Sequence, residues 1–223
     1  MISVVITAYD RRKYLNEAIA SAFSQTRPPD EVIVITNFEY SSNYPIKHIL
    51  DKEAEPLNIT KFTWKAIEST KGDIIAPLDD DDKFLPNKIE RIANVFSDPN
   101  VIFFHNWCIG RKDTNKDLLG SSQQAFRKDI LDKRFLEIKA IPDNVYYLLA
   151  LEKIEANPNL KIVTTDEVLT KYRVHADNIS ISSSRHEAWK KARNMDLLNL
   201  LKLFPRGKAH EEALETLRRH YDH

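Results

Sequence analysis

Four short runs recur along the first half of the chain: "ISVVITA" (2–8), "EVIVIT" (31–36), "GDIIAPL" (72–78) and "NVIFFHNW" (100–107). Each is β-branched, nearly free of charge and too short for a core helix. Runs of this kind read as strands buried on both faces. The intervals between them carry a different period. Leu15, Ala18, Ile19, Ala22 and Phe23 lie on one helical face. Ile89, Ile92, Ala93 and Phe96 form a second such stripe after Pro86, and a weaker one spans about 58–70. Asp10 stands where it can cap the first helix, and "TRPPD" (26–30) ends it. Pro77 predicts an irregular or edge position for its strand. Strands that alternate with helices confine the chain to an α/β domain with a largely parallel sheet.

The second half is less regular. Residues 143–155 read as a helix with Val145, Leu148 and Leu149 inward, and "EVLTKYRVH" (167–175) as a strand. "NISISSSR" (178–185) is a polar turn and linker. Residues 186–223 read as two amphipathic helices broken at "FPRG", with Leu197, Leu200, Leu201 and Phe204 marking the first apolar stripe. The expected division is 1–184 as one domain, halved near residue 110, and 185–223 as a helical extension.

Composition excludes several classes. Lysine plus arginine equal aspartate plus glutamate at 33 each, which argues against a basic nucleic-acid-binding surface. The single cysteine, Cys108, excludes an internal disulfide and a multi-cysteine zinc site, and fits a reducing compartment. "MISVVITAYD" has no basic region before its apolar run, so it does not read as a signal peptide. No apolar run approaches the ~20 residues that span a bilayer. The expected location is cytoplasmic.

Chemistry concentrates where the third strand ends. "DIIAPLDDDDKF" (73–84) runs an apolar segment into four adjacent carboxylates, Asp79 to Asp82. Two unit charges about 5 Å apart repel by roughly 3 kcal/mol at an effective dielectric near 20. An open loop tolerates that; a cleft does not, unless a cation sits there. Open parallel sheets bind ligands beyond the carboxyl ends of their strands. Thr7, Tyr9 and Asp10 follow the first strand there, Thr36 and Asn37 the second, and the acidic run the third. In an extended segment Asp79 and Asp81 point the same way, and converging carboxylates favour a hard divalent cation.

In order and spacing, "SVVITAYDRRKYLNEAIASAFSQTRPPDEVIVIT", "STKGDIIAPLDDDD" and "LTKYRVHADNIS" resemble the family 2 glycosyltransferases of the GT-A fold, over roughly residues 2–107 and 120–181. The resemblance implies a GT-A, Rossmann-like, mostly parallel central sheet flanked by helices. It implies sugar transfer from a nucleotide-diphosphate donor to a hydroxyl acceptor, with inversion and a Mn²⁺ or Mg²⁺ cofactor. It makes Asp79-x-Asp81 the D-x-D motif, with Asp81 and Asp79 on the metal. Thr7, Tyr9, Asp10, Asn37, Asp79, Asp80 and Arg173 fall at the nucleotide-sugar. His175 becomes a third metal ligand and Asp143 the base, although Asp143 after Pro142 also reads as a plain helix cap. Trp107 either lines the acceptor cleft or packs in the core, beside His105. The implied donor is a UDP-sugar first, then a GDP- or dTDP-sugar. The implied acceptor is a saccharide, a lipid-linked group or a protein.

The chain departs from that pattern at three places. Thr36 and Asn37 stand where the family has two acidic residues, Trp64 where an Asn is common, and Pro142 where the base usually has an acidic neighbour. These leave open a catalytically degenerate binding or scaffold module. A sugar-phosphate nucleotidyltransferase needs a glycine-rich loop that "TAYDRRKY" lacks. The tail carries Arg185, Lys190, Lys191, Arg193, Arg206, Lys208, Arg218 and Arg219 beside its apolar stripes. It reads either as a helical pair packed on the domain or on a second copy, or as peripheral docking to an anionic membrane face.

Overall fold

The computed structural model describes residues 1–55, 57–110, 120–176, 178 and 183–221, with the side chains of 183–186, 220 and 221 also outside the description. The chain begins with β1 (Ile2–Ala8), α1 (Leu15–Phe23), β2 (Glu31–Thr36), β3 (Lys47–Leu50), α2 (Ile59–Glu68) and β4 (Ile74–Asp79). It continues with β5 (Lys83–Phe84), α3 (Lys88–Val95), β6 (Val101–Ile109), β7 (Gln124–Arg127), α4 (Pro142–Ala156), β8 (Lys161–Lys171), α5 (Ser183–Leu203) and α6 (Gly207–Tyr221). The sheet order is β3-β2-β1-β4-β7-β6-β8-β5. The first four in that order are parallel; β7 runs antiparallel to both β4 and β6, and β6 and β8 are parallel again.

Strand alternation divides the interior between two cores. Val5, Ile33, Ile35 and Ile75 face α2 and α4, while Val4, Ile6, Val34 and Ala76 face α1 and α3. Each fully buried aliphatic side chain contributes about 1.5–3 kcal/mol relative to an exposed one. The stripe expected on α1 is buried at Leu15, Ala18, Ile19 and Ala22.

The C-terminal helices share the first core. Leu197, Leu200, Phe204, Ala209 and Ala213 pack with Val145, Leu148 and Leu149 of α4. The break between α5 and α6 falls at the expected "FPRG". Gly207 has φ +75°, and a Cβ there would run into the Glu155 carboxylate, which accepts the Lys208 N–H at 3.1 Å. Asp196 on α5 is 2% exposed and accepts backbone N–H groups from Lys139, at 3.0 Å, and Ala140, at 2.6 Å. It ties α5 to the segment leading into α4. No helix among the described residues is long and apolar enough to cross a membrane.

Several sequence expectations are corrected. Asp10 does not cap α1: the helix begins at Leu15 with Tyr14 at the N-cap, and Asp10 takes φ +54° in the preceding loop. β4 is an interior strand. Pro77 is accommodated because the β7 ladder reaches only Ile74 and Ile75, so the proline lies beyond its end. The strand read over 167–175 starts earlier, at Lys161, and stops at Lys171, leaving Arg173 and His175 beyond it. β3, β5 and β7 were not anticipated; they have only four, two and four residues, too few for a period. Residues 179–182 of the polar turn lie outside the described residues.

Candidate active site

The sheet brings β1 and β4 side by side, with Thr7 opposite Asp79 in parallel register. Both strands therefore end at the same edge. The chain then turns tightly, with the Asp82 N–H on the Asp79 carbonyl at 3.1 Å. Asp79 closes the strand and 80–82 form the turn, so the carboxylates do not follow the extended alternation read from sequence. The turn draws Asp80, Asp81 and Asp82 inward, to 3%, 6% and 3% exposure.

Burying this much negative charge requires compensation, and Arg11 supplies much of it. Its Nε and Nη2 donate to Asp80 at 2.8 and 2.5 Å, and its Nη1 contacts Asp81 Oδ2 at 2.9 Å. Burial works against the Arg11 cation, but the bonds and charges of Asp80, Asp81 and Asp79 outweigh it and raise its pKa. Burial lifts Asp80 to about 6 against the pull of Arg11, and burial with the Asp81 charge lifts Asp82 to about 7. Burial, then Asp82, Asp143 and Asp81, hold Asp79 well above the usual carboxylate range. Adjacent carboxylates in low dielectric cannot all ionise freely.

The segment after β8 closes over the turn. The Arg173 N–H donates to Asp82 Oδ1 at 3.0 Å and its Nε to the Asp81 carbonyl at 2.9 Å. His175 Nε2 lies 3.0 Å from Asp81 Oδ2, and Asn178 Nδ2 donates to the same oxygen at 3.1 Å. Beneath the turn, Ser122 Oγ accepts the Asp79 N–H at 3.0 Å. The Ser122 carbonyl accepts from Thr170 Oγ1 at 2.8 Å and from the fully buried Lys88 at 3.3 Å. Burial lowers the Lys88 pKa well below its ordinary value.

Asp143 lies in the first turn of α4, after Pro142. The Ser121 hydroxyl donates to its Oδ1. Asp143 is close enough to Asp79 for its charge to count among those raising Asp79.

These groups open onto one cleft of about 700 Å³, lined among others by Thr7, Tyr9, Asp10, Asp79 to Asp82, Asp143, Trp189 and Arg193. That volume suits a nucleotide-sized ligand. Asn37, Arg173 and His175 are not among its lining residues; they bond to Asp10, Asp81 and Asp82, which are. Asn37 is paired reciprocally with Asp10: its Nδ2 donates to Asp10 Oδ1 at 2.7 Å and its Oδ1 accepts the Asp10 N–H at 2.9 Å. Trp107 does not line the cleft; it sits half-buried on β6, opposite Val168. The tryptophan that lines it is Trp189 of α5, with the Arg193 guanidinium 5.2 Å from its ring centre. Sequence reasoning also missed Arg11, Ser121 and Asn178. Arg11, directly after Asp10 at a strand end, was the one with a readable signal.

Among the described residues, no three His, Cys, Asp or Glu side chains form a ready-made metal cage. The donor chemistry nonetheless fits a hard divalent cation. Asp81 presents an oxygen beside an imidazole nitrogen, and Asp79 lines the same cleft. Cations of this kind are commonly held by one or two carboxylates plus the substrate's phosphates.

An open α/β sheet with an acidic turn at the ends of its parallel strands puts that turn where such sheets bind ligands. Residues 3–147 match the model of glycosyl transferase family 2, and the chain belongs to that family. An uncharacterised glycosyltransferase of Haemophilus influenzae is 29% identical over 118 residues, covering 48% of this chain and 38% of the relative. The chain spans only 34–43% of the length of the curated relatives it matches. The fold is GT-A. S. aureus TarS 1–349 in complex with UDP-GlcNAc superposes with a TM-score of 0.72 at 17% identity, over 99% of this chain and 72% of that one. The mannosyltransferase PcManGT from Pyrobaculum calidifontis, with GDP-Man and Mn²⁺, gives 0.67 at 17% identity, over 97% and 68%.

Proposed function

We propose that this protein transfers a glycosyl group from a nucleotide-diphosphate sugar to an acceptor hydroxyl, in one displacement that inverts the anomeric centre. The observation that carries the reading is the placement of the acidic turn and Asp143 in one cleft. Thr7, Tyr9 and Asp10 form the nucleotide end. Asp81 and His175, with Asp79, hold a Mn²⁺ or Mg²⁺, which when bound supplies Lewis-acid neutralisation of the departing diphosphate. Relatives of the fold bound to UDP-GlcNAc, or to GDP-Man and Mn²⁺, support that ligand class.

Asp143 is the base. Its carboxylate takes the proton of the acceptor hydroxyl as the oxygen bonds to the anomeric carbon. The bond from that carbon to the diphosphate oxygen breaks on the opposite face, and the electron pair leaves with the diphosphate. Ser121 holds the Asp143 carboxylate in position. Trp189 and Arg193 line the same cleft and form the acceptor wall: an indole face suits a sugar ring, and a guanidinium its polar substituents. Asp196 fixes that wall against the start of α4.

The Asp10–Asn37 pair favours altered base selectivity, because the Asn37 amide is already engaged where an acid would accept the imide proton of uracil. Incubation with UDP-, GDP-, dTDP- and CDP-sugars and Mn²⁺, with released nucleotide diphosphate quantified, tests the reading. Release from one donor class supports transfer. Binding of a donor without release of any nucleotide identifies a degenerate binding module instead.

A further inference from the structure

Three protein nitrogens surround Asp81 Oδ2: Arg11 Nη1 at 2.9 Å, His175 Nε2 at 3.0 Å and Asn178 Nδ2 at 3.1 Å. A carboxylate oxygen offers about two lone-pair directions, and Arg11 and Asn178 already take two. One of the three nitrogens belongs to a full cation that shares its fork with Asp80. A divalent ion arriving on Asp81 therefore meets a resident positive charge on the same carboxylate, in a pocket where Asp80 and Asp81 are nearly closed off from water. Like charges at that separation in low dielectric exclude each other.

The fork itself shows which contact is movable. Nε and Nη2 both engage Asp80, whereas Nη1 reaches Asp81. Arg11 is 22% exposed at its side chain and lines the cleft with Arg12 and Lys13. A guanidinium held by Asp80 along one edge can turn its other edge to a phosphate, for which its geometry is well matched.

We propose that Arg11 is the resident counter-ion of the acidic turn. It yields Asp81 to a divalent cation when a nucleoside diphosphate arrives to take up its Nη1 edge. The proposal rests on the glycosyl-transfer reading and adds an order to it. The cation alone binds poorly, and cation and nucleoside diphosphate bind together. Arg11 is thus a diphosphate-binding residue as well as a guard against futile occupation of the site by metal.

The test is Mn²⁺ binding to the full chain, read from the free-ion paramagnetic resonance signal, with no nucleotide, with UDP and with GDP. In the unsubstituted protein, Mn²⁺ alone binds weakly, and one of the nucleotides tightens it by about tenfold or more. Arg11→Gln binds Mn²⁺ alone about tenfold tighter and the nucleotide, at saturating Mn²⁺, about tenfold more weakly. Arg11→Lys keeps the charge, so Mn²⁺ alone stays weak, but loses the fork and with it nucleotide affinity. A measurement without substitution guards against a misfolded variant. The nitrogen-15 Nε–H signal of Arg11 moves with Mg²⁺ plus nucleotide and not with Mg²⁺ alone. Unchanged or weaker binding of Mn²⁺ alone to a folded Arg11→Gln overturns the proposal, as does an Arg11 signal that responds to Mg²⁺ alone. Unsubstituted protein that binds neither nucleotide with Mn²⁺ overturns the functional reading as well. Normal binding by the unsubstituted protein with an indistinguishable Arg11→Gln overturns only the role of Arg11.

Discussion

The hydroxyl of Ser121 donates to Oδ1 of Asp143, tying the turn before β7 to the first turn of α4. The bond fixes the orientation of the carboxylate without consuming its capacity to take a proton. Ser121→Ala should lower kcat about tenfold or more, the lower range of misplacement effects, with donor affinity unchanged. A nucleotide-release assay beside a donor titration checks this. Equal loss of both would make Ser121 a nucleotide contact.

Asp196 is a buried carboxylate whose partners are backbone N–H groups. Burial raises its pKa against those bonds. Asp196→Ala leaves its backbone N–H partners without their acceptor and should cost about 2–4 kcal/mol, read as a lower midpoint in urea unfolding. A change below about 0.5 kcal/mol would show that α5 is held by its apolar stripe alone.

His105 is 7% exposed, its Nε2 has no hydrogen-bond partner among the described residues, and burial followed by the Lys88 charge lowers its pKa to about 4. The unfolded chain binds this proton near pH 6.5 and the folded one near 4. The native state thus loses stability as pH falls through that window, by about 3 kcal/mol at most. His105→Asn should flatten the acid limb of stability between pH 6.5 and 4. Parallel acid limbs for both proteins would place the sensitivity elsewhere.

Trp189→Ala should raise the acceptor KM about tenfold or more while leaving Mn²⁺-dependent nucleotide affinity unchanged, since stacking on a ring is worth about 1–3 kcal/mol. Nucleotide affinity that fell with it would move Trp189 to the donor side.

Much of the fold was legible because its strands and helices bury regular stripes. β1, β2, β4 and β6 are long enough for a buried run to declare itself, as are the faces of α1, α3 and α4. What escaped depends on tertiary partners. β5 exists only through its pairing with Thr170 and Lys171, and β7 through Ile74, Ile75 and β6. The site was legible as an acidic turn at a strand end, but not its compensation. The Arg11 contact spans 69 residues and the Asn178 contact 97. Arg173 and His175 were assigned to a strand face, yet they reach the acidic turn from a loop, Arg173 through the Asp81 carbonyl and Asp82, His175 through the Asp81 carboxylate. Trp189 lay in a stretch read as tail, and it lines the cleft on α5, which Asp196 and the apolar stripe hold on the domain.

In the proposed mechanism Asp143 deprotonates the acceptor across the sugar from the acidic turn. Asp143→Asn preserves size and can still accept the Ser121 hydrogen bond, but cannot take a proton at neutral pH. The direct measurement is single-turnover transfer by this variant, with donor affinity determined on the same preparation in Mn²⁺. The expected result is a rate lowered by about 10²-fold or more with donor affinity within about twofold of the unsubstituted protein. A variant that transfers at the unsubstituted rate, or one that loses donor binding in step with turnover, would contradict the assignment.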